Sequence, residues 1–582
     1  MKTEMSFDES NKFHSRCSTI NFHFPDIFAL PKMLAFRAAQ NRTLKENPYT
    51  WTQIVLLFLI PSFIWLGFAI LSQNNRYSLE SIDTLFYIQN AENFASGNGF
   101  THNPRRTHLT SDIWNTENHL VPTRLFPPGL GVLAAPLIRM GMSAYSAVFW
   151  TATLCSFFAL WLILWFFRMN LPFPYAFAAA IPTVISLRIF SFYCQSEAPY
   201  LLFSTMALFA IYLAVQNAAR ENLCFPCFMI AGLAGGYAWT IRNAGMALFF
   251  AVFIYLLYFF IIRGKLRDGV KGVGLWLLGW LSGSGWLLIY NCWTFGTGIP
   301  YKMPPSTVGF WENCRWFLSG MWGQGVYYAS MLYPNKIFLL LCGIFFLVLM
   351  FLLILCYFYW RQVSVALNRL FQTNTFTLLL ILYGLGIGGV TILARTKYQW
   401  GEFINTRHHY PIDWIKCYLF FLLAWFLVDL LKINAGLRNK FLYAVVGICC
   451  LSPVYAFYTY ANIYPRAFTA QEIVELQKYV SPDEVLLSNH PFHAVILGNL
   501  TCRSSGNISL STLQEGMENG KFAGFIFTDE NVFIREWENE ESRKQFLLPL
   551  LAEPEKYTEF RRIELSPRAT FFQYQNVSKS VK

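Results

Sequence analysis

The sequence predicts a polytopic α-helical membrane protein with a long first external loop and a small soluble α/β domain at its C-terminus. Three observations lead to this fold class. Hydrophobic residues make up 55% of the 582-residue chain and charged residues only 13%, which lies outside the usual range of soluble globular proteins. The apolar residues gather in runs long enough to cross a bilayer. The chain then becomes polar and charged at about residue 466.

The apolar runs predict about eleven transmembrane helices. The first run, 51–72, follows a polar tail, 1–50, which we expect in the cytoplasm. The later runs lie near 142–167, 173–190, 197–216, 224–240, 244–262, 272–292, 337–360, 374–394, 415–432 and 441–460. A further apolar stretch, 129–137, is too short to cross alone and predicts a surface or re-entrant helix.

Basic residues in the short loops set the orientation, because cytoplasmic loops are enriched in Lys and Arg. With an odd number of spans, the loops rich in Lys and Arg lie on the same side of the membrane as the N-terminus. They contain Arg168, Arg220, Arg263, Lys265, Arg267, Lys271, Arg361, Arg369, Lys432, Arg438 and Lys440. The loop 73–131, the segments 293–336 and 395–414, and everything after about 461 are therefore expected on the external face.

The C-terminal part, 466–582, is predicted to be an external soluble α/β domain that follows a transmembrane domain, 51–465. An amphipathic helix pattern from Ala470 to Val480 precedes short apolar runs typical of strands. These runs lie at 484–489, 493–499, 524–530 and 570–575. The part holds 16 of the 33 acidic residues and 13 of the 45 basic ones. The basic excess thus belongs to the membrane part, where it suits anionic membrane lipids and not nucleic acid.

The external acids concentrate in the first loop. Nine carboxylates are expected on that face, namely Glu80, Asp83, Glu92, Asp112, Glu117, Glu197, Glu312, Glu402 and Asp413, and five of them lie in 73–131. Ionised acids near a membrane are costly unless they are hydrated, paired or bound to a ligand. The loop is therefore the predicted site of chemistry, with a plain hydrophilic loop as the alternative.

The basic residues expected on the external face predict a site for an anionic ligand such as a lipid-linked phosphate. Guanidinium groups match phosphate oxygens in bidentate geometry. The candidates are Arg124, Arg407, Lys397, Arg242 and Lys302, of which Arg124 and Arg407 are favoured. Arg188 and Arg242 have an alternative role at the membrane interface or in a pair with Glu197.

The order of these motifs resembles the GT-C class of integral-membrane glycosyltransferases. The matching elements are Asp83 with Tyr87, the stretch AENFASGNGF at 91–100, RLFPPG at 124–129, Ser196 with Glu197, and RHHYP at 407–411. They are similar to elements of bacterial members related to the protein mannosyltransferases and the aminoarabinose lipid A transferases. The best-known branch carries Asp-Glu in the first loop, whereas here Thr84 follows Asp83, which favours the broader bacterial group.

The resemblance implies an inverting transfer of a sugar from a polyprenyl-phosphate donor to a glycan, lipid or protein acceptor at the periplasmic or lumenal face. Asp83 would act as the catalytic base, and the cations above would hold the donor phosphate. Tyr87, Glu92, His102, Glu197 and His408 are the candidate substrate contacts. Asp83 could instead cap the helix expected at 84–94. The working location is a bacterial inner membrane.

Other functions remain as alternatives to a glycosyltransferase. A transporter or flippase would also need many spans, but it would favour internal repeats and ionisable residues inside the spans. A lipid phosphotransferase and a membrane scaffold are further alternatives. No metal site is predicted, since His408 and His409 lack two further ligands nearby, although a divalent cation is not excluded. Cys292 and Cys314 could form a disulfide in an oxidising compartment.

Overall fold

The structure is a computed structural model that describes the following residues: 49–75, 82–106, 113–114, 119–192, 194–219, 224–262, 266–301, 303–318, 375–398, 404, 406–430, 436, 440, 468–481, 483–489, 495, 500–505 and 508–575. All described residues except Thr375 belong to one compact unit.

The membrane part is built from helices. They are α1 (Trp51–Asn75), α2 (Ile82–Ala95), α3 (Gly129–Arg139), α4 (Ala144–Asn170), α5 (Phe173–Ser191), α6 (Glu197–Ala219), α7 (Phe225–Ile241), α8 (Gly245–Ile262), α9 (Leu266–Phe295), α10 (Thr375–Lys397) and α11 (Asp413–Leu430). Single turns at Thr406–His409 and Tyr410–Ile412 lead into α11. In the first loop, β1 (Thr101–His102) pairs with β2 (Val121–Pro122) in antiparallel orientation, and a turn covers Pro104–Arg106.

The helices agree with the predicted spans wherever the structure describes them. Every predicted span from 51–72 to 415–432 coincides with a helix, apart from 337–360, which lies outside the described residues together with 441–460. The stretch at 129–137 is a helix of 11 residues, as predicted.

Six helices within the described part of the chain are long and apolar enough to cross a membrane. They contain the segments Trp51–Ser72, Ala144–Asn170, Glu197–Asn217, Gly245–Ile262, Arg267–Phe295 and Phe376–Lys397. The chain is therefore a polytopic helical membrane protein, and the count of about eleven spans stays a prediction.

Helices α7 and α9 pack through two small-residue motifs. Gly232 and Gly236 are four residues apart on α7, and Gly279 and Gly283 are four apart on α9. A Cβ added at Gly236 would lie 2.3 Å from the carbonyl oxygen of Trp280, and one at Gly283 would lie 2.4 Å from that of Leu233. The two backbones approach so closely that only glycine fits, as in membrane helix pairs with GxxxG spacing.

The change Gly283→Ala is expected to lower the free energy of unfolding by about 1–3 kcal/mol, because its methyl group forces the helices apart. Gly285→Ala is the matched control on the same helix, since its Cβ would have no atom within 4 Å. We expect the control to be neutral or slightly stabilising through its helix propensity. Thermal unfolding of the detergent-solubilised variants measures both, and equal midpoints would refute the close packing.

The C-terminal region, defined here as 468–575, contains a five-stranded mixed sheet with helices. The helices are α12 (Ala470–Leu476), α13 (Leu510–Glu518), α14 (Glu530–Glu536), α15 (Glu540–Ser542) and α16 (Leu548–Ala552), with a π-helical stretch at Arg543–Leu547 and a turn at Pro554–Lys556. The strands are β3 (Val485–Ser488), β4 (Thr501–Ser504), β5 (Phe522–Phe527), β6 (Phe560–Ser566) and β7 (Ala569–Tyr574). The strand order is β4-β3-β5-β7-β6, with β3 parallel to both neighbours and β7 antiparallel to both of its own.

The sheet carries a hydrophobic cluster on each face. Leu486 of β3 packs in one cluster, and its neighbours Val485 and Leu487 pack in the other, as the alternation of side chains along a strand requires. The strand-like runs at 484–489, 524–530 and 570–575 coincide with β3, β5 and β7. The run at 493–499 lies outside the described residues apart from Val495, and β4 and β6 were not predicted.

Candidate active site

Helix α2 presents the predicted base to the membrane helices. Asp83 and Tyr87 are four residues apart and therefore share one face of α2. The hydroxyl of Tyr87 donates a hydrogen bond of 2.8 Å to the Oγ of Ser196. Asp83 is the second residue of the helix, in its first turn, so it is not the N-cap that the alternative interpretation required.

Asp83 belongs to a buried ionic cluster, defined here as Asp83, Glu197, Arg242 and Arg407. Arg407 pairs with both carboxylates through its Nη2 and Nε atoms, and Arg242 pairs with Glu197. Glu197 is fully buried, while the side chains of Asp83 and Arg407 are only 13% and 18% exposed. Buried charges are tolerated when they are paired, and two carboxylates here balance two guanidinium groups.

The cluster is assembled from the ends of separate elements. Glu197 is the first residue of α6, Arg242 directly follows α7, and Arg407 lies in the single turn Thr406–His409. Burial alone would lower the pKa of Arg407, but the carboxylates of Glu197 and Asp83 outweigh this effect and raise it. Arg407 therefore stays charged.

Arg242 adopts the role named as its alternative, a pair with Glu197. Its Nη1 also lies 3.5 Å from the Oγ of Ser196, which links it to Tyr87. The structure does not describe the side chain of Arg188. The Oε1 of Glu197 carries both ion pairs, and its Oε2 is buried without a hydrogen-bond partner among the described residues.

Arg124 lies apart from the cluster, in a neighbouring cleft. The cleft is lined by Thr123, Arg124, Phe126, Pro127, Pro128, Trp239, Asn243, Leu287, Tyr290, Asn291, Gly298, Ile299, Pro300 and Tyr301. The guanidinium of Arg124 lies over the ring of Phe295, 5.1 Å from its centre, and pairs with no carboxylate among the described residues. Aromatic rings, amides and the guanidinium of Arg124 therefore meet in a single concave surface.

The cleft and the ionic cluster adjoin each other. The ring of Phe126, which lines the cleft, lies 5.5 Å from the ring of Tyr87. On the other side, Trp239 lines the cleft three residues before Arg242. Gly129 permits this arrangement, since a Cβ there would lie 2.7 Å from the carbonyl oxygen of Thr240. The cleft is thus linked to the cluster through Phe126, Tyr87 and Ser196.

His102 and Glu92 lie on the loop side of α2. The Nδ1 of His102 is 3.0 Å from the Oγ1 of Thr123, and its ring packs 4.8 Å from that of Phe86. Burial lowers the pKa of His102 to about 4, so the ring is neutral at physiological pH. Glu92 pairs with Arg106 at 3.3 Å, and its side chain is 44% exposed.

The remaining predicted residues are more peripheral. Lys397 ends α10 and is exposed, with its Nζ 5.2 Å from the centre of the Tyr398 ring. His408 lies in the same turn as Arg407, and burial, then Arg242 and Arg407, lower its pKa to about 3. Lys302 lies outside the described residues.

Within the described residues, no three His, Cys, Asp or Glu side chains come together as a metal site would require. Asp83 and Glu197 instead hold guanidinium groups. Cys292 and Cys314, which could have formed a disulfide, are both free.

Two residues of the first loop gain importance only from the structure. Leu85 and Trp114 pack into the hydrophobic clusters of the C-terminal region. Neither residue type nor spacing distinguishes them from the many other apolar residues of this chain. Only their long-range contacts reveal them.

No family model and no curated protein matches the chain. Among solved structures, it is similar to the archaeal oligosaccharyltransferase AglB from Archaeoglobus fulgidus, in complex with an inhibitory peptide and a dolichol-phosphate, with a TM-score of 0.47 and 12% identity over 91% of this chain and 75% of that one. It is also similar to ArnT from Cupriavidus metallidurans in the apo state, with a TM-score of 0.47 and 12% identity over 90% and 98% of the two chains. ArnT bound to undecaprenyl phosphate gives a TM-score of 0.46 and 12% identity over 91% and 99%. These neighbours are GT-C membrane glycosyltransferases, the class that the sequence motifs resemble.

Proposed function

We propose that the protein is an inverting glycosyltransferase that moves a sugar from a polyprenyl-phosphate-linked donor to an acceptor at the external face of its membrane. One observation carries the proposal. The predicted base, Asp83, is held by Arg407 in a buried ionic cluster, and the adjoining cleft holds a cation, Arg124, that has no carboxylate partner among the described residues. Such a reaction needs a base that deprotonates the acceptor hydroxyl and a cation that stabilises the departing phosphate.

Asp83 would take the proton from the acceptor hydroxyl as the hydroxyl oxygen attacks the anomeric carbon of the donor sugar. The new bond joins that oxygen to the anomeric carbon, and the bond from the anomeric carbon to the phosphate oxygen breaks. The polyprenyl phosphate leaves with the electron pair. The ion pair with Arg407 fixes the position of the Asp83 carboxylate. A base held in one position can meet the acceptor hydroxyl in the same orientation each time.

The donor phosphate would bind first to Arg124. The guanidinium groups of Arg407 and Arg242 already pair with carboxylates, so a phosphate would have to displace Asp83 or Glu197 from them. Arg124 has no such competitor among the described residues, and Lys397 is an exposed second candidate. A phosphate on Arg124 gains charge-assisted hydrogen bonds without breaking an ion pair.

The sugar would then occupy the cleft beside Arg124. Tyr290, Asn291 and Tyr301 offer ring faces, hydroxyl groups and an amide to a polyol. Tyr87, His102, Glu197, Glu92 and His408 remain candidate contacts for the sugar or the acceptor. His102 is suited to accept a hydrogen bond, since it is neutral at physiological pH.

The position of the charges supports an enzyme over a transporter or flippase. Asp83, Glu197, Arg242 and Arg407 all lie at the ends of helices or in a connecting turn. A transport pathway favours ionisable side chains within the spans, near the bilayer midplane. We propose a bacterial inner membrane as the location, in line with the resemblance to bacterial members, and the basic loops favour the periplasmic side for the cluster.

Arg124→Ala is expected to weaken binding of a polyprenyl-phosphate sugar by about 10- to 100-fold, the value of one or two charge-assisted hydrogen bonds. Arg168→Ala is the matched control, because its guanidinium also lies over an aromatic ring, 4.9 Å from that of Trp165, but at the end of α4 expected in the cytoplasm. Binding of a labelled donor to the purified variants in nanodiscs measures both. Equal affinities in the two variants would remove Arg124 from the donor site.

A further inference from the structure

The first loop and the C-terminal region share both hydrophobic clusters of the sheet. Leu85 of α2 is 2% exposed and lies in the cluster formed by Ile473, Leu486 and ten other buried residues of 468–575. Trp114 is also 2% exposed and lies in the cluster on the other face, with Leu513 and Phe522. Each face of the sheet therefore packs against one buried side chain of the first loop.

Hydrogen bonds join the same two segments beside these clusters. The Nε of Arg105 donates to the Oγ1 of Thr501 at 2.6 Å, and the Nη1 of Arg503 donates to the carbonyl oxygen of Arg105 at 2.8 Å. The indole nitrogen of Trp114 donates to the carbonyl oxygen of Thr512 at 3.1 Å. These bonds fix the register of the loop against β4 and α13.

The fit around Trp114 is close. A Cβ added at Gly516 of α13 would lie 2.2 Å from an atom of the Trp114 ring, so α13 approaches the ring to within the space of one methyl group. Gly516 is itself buried. A single carbon added here would push Trp114 out of its place without touching the ionic cluster.

Helix α2 therefore has two engaged faces. Asp83 and Tyr87 contact Arg407 and Ser196 on one face. Leu85 follows Asp83 by two residues, a rotation of about 200° around the helix, and contacts the C-terminal region on the other. The axial position and rotation of α2 are thus set from both sides.

We propose that the C-terminal region positions α2, with Leu85 as the positioning residue that holds Asp83 against Arg407 and Trp114 as a second anchor of the same loop. The C-terminal region is then part of the active site and not a separate module that only covers it or recognises an acceptor. The consequence for transfer rests on the proposed function, whereas the positioning of α2 does not. A displacement of about 1 Å at a reacting group can cost on the order of 100-fold in rate.

The test uses three variants of the full-length protein in nanodiscs, together with one rescue variant. Leu85→Ala removes the contact from α2, and Gly516→Ala displaces Trp114 from within the C-terminal region. Leu550→Ala is the matched control, a fully buried leucine of α16 that belongs to the same cluster as Trp114 but lies on neither α2 nor α13. Leu85→Met keeps the volume and should restore the wild-type behaviour.

Hydrogen exchange of the amides at 82–95, followed by mass spectrometry, is the first readout. We expect at least about a tenfold faster exchange in Leu85→Ala and Gly516→Ala, and wild-type exchange in Leu550→Ala and Leu85→Met. The second readout is transfer kinetics, where the first two variants should lose kcat while KM for the donor stays unchanged.

The outcomes separate the two proposals. Unchanged exchange at 82–95 in Gly516→Ala and Leu85→Ala, or the same increase in Leu550→Ala, would overturn the positioning role. Absence of sugar transfer in the wild type would overturn the proposed function, and the exchange data would still decide the positioning. If Gly516→Ala does not fold, Leu85→Ala with its Leu85→Met rescue gives the same decision.

Discussion

Asp83→Asn is expected to abolish sugar transfer while the protein still binds its donor. The substituted amide keeps the shape of the side chain but cannot accept the proton of the acceptor hydroxyl. General base catalysis contributes about 10²- to 10⁴-fold, so the initial rate should fall by at least about 100-fold. The measurement compares initial rates at matched amounts of purified protein, with donor binding followed in the same preparations.

This variant needs two controls. The substitution also removes the ion pair with Arg407, so the thermal midpoint has to be recorded beside the rate. Asp268→Asn serves as the matched substitution, because Asp268 lies in the first turn of α9, as Asp83 lies in the first turn of α2, but at an end expected in the cytoplasm. Transfer at the wild-type rate by Asp83→Asn would exclude Asp83 from the chemistry.

Glu197→Gln is expected to cause the largest loss of stability of any single change in the ionic cluster. Glu197 is fully buried and its Oε1 pairs with both Arg242 and Arg407. Without that charge, Arg407 keeps only the carboxylate of Asp83, and Arg242 loses the carboxylate with which it pairs. Breaking a buried pair costs about 3–5 kcal/mol, because it leaves a buried charge uncompensated.

The loss is measured as the shift in the unfolding midpoint of the detergent-solubilised protein. Glu540→Gln is the comparison, since Glu540 pairs with Lys544 on the surface, where both side chains are about two thirds exposed at 67% and 65%. Exposed pairs contribute little, so this variant should unfold as the wild type does. A Glu197→Gln midpoint equal to that of Glu540→Gln would show that the buried pairs do not hold the helix ends together.

The sequence indicated the four residues of the ionic cluster and named the pair of Arg242 with Glu197 as an alternative, but it did not predict the pair of Asp83 with Arg407. The capping alternative for Asp83 assumed a helix at 84–94, and α2 contains that helix. The pair of Asp83 with Arg407 joins residues more than 300 positions apart. Such a contact depends on how the helices pack, and no local pattern encodes it.

The sheet shows the same limit. Strands β3, β5 and β7 were predicted because they are apolar runs. The missed strands, β4 and β6, are the two edges of the sheet. Strand β4 contains Arg503, which is buried and donates a hydrogen bond to the first loop, and β6 contains the exposed Arg561 and Arg562. Edge strands carry charges that prevent further pairing, so the hydrophobic signal is weakest there.

The central claim is that the chain transfers a sugar from a polyprenyl-phosphate donor. Its most direct test is the reaction of the purified protein in lipid vesicles with a panel of labelled polyprenyl-phosphate sugars, with the anomeric configuration of the product determined by NMR. The account predicts transfer from at least one donor, inversion at the anomeric carbon and release of the polyprenyl phosphate. Movement of intact donors across the bilayer, with no glycosidic bond broken, would contradict it.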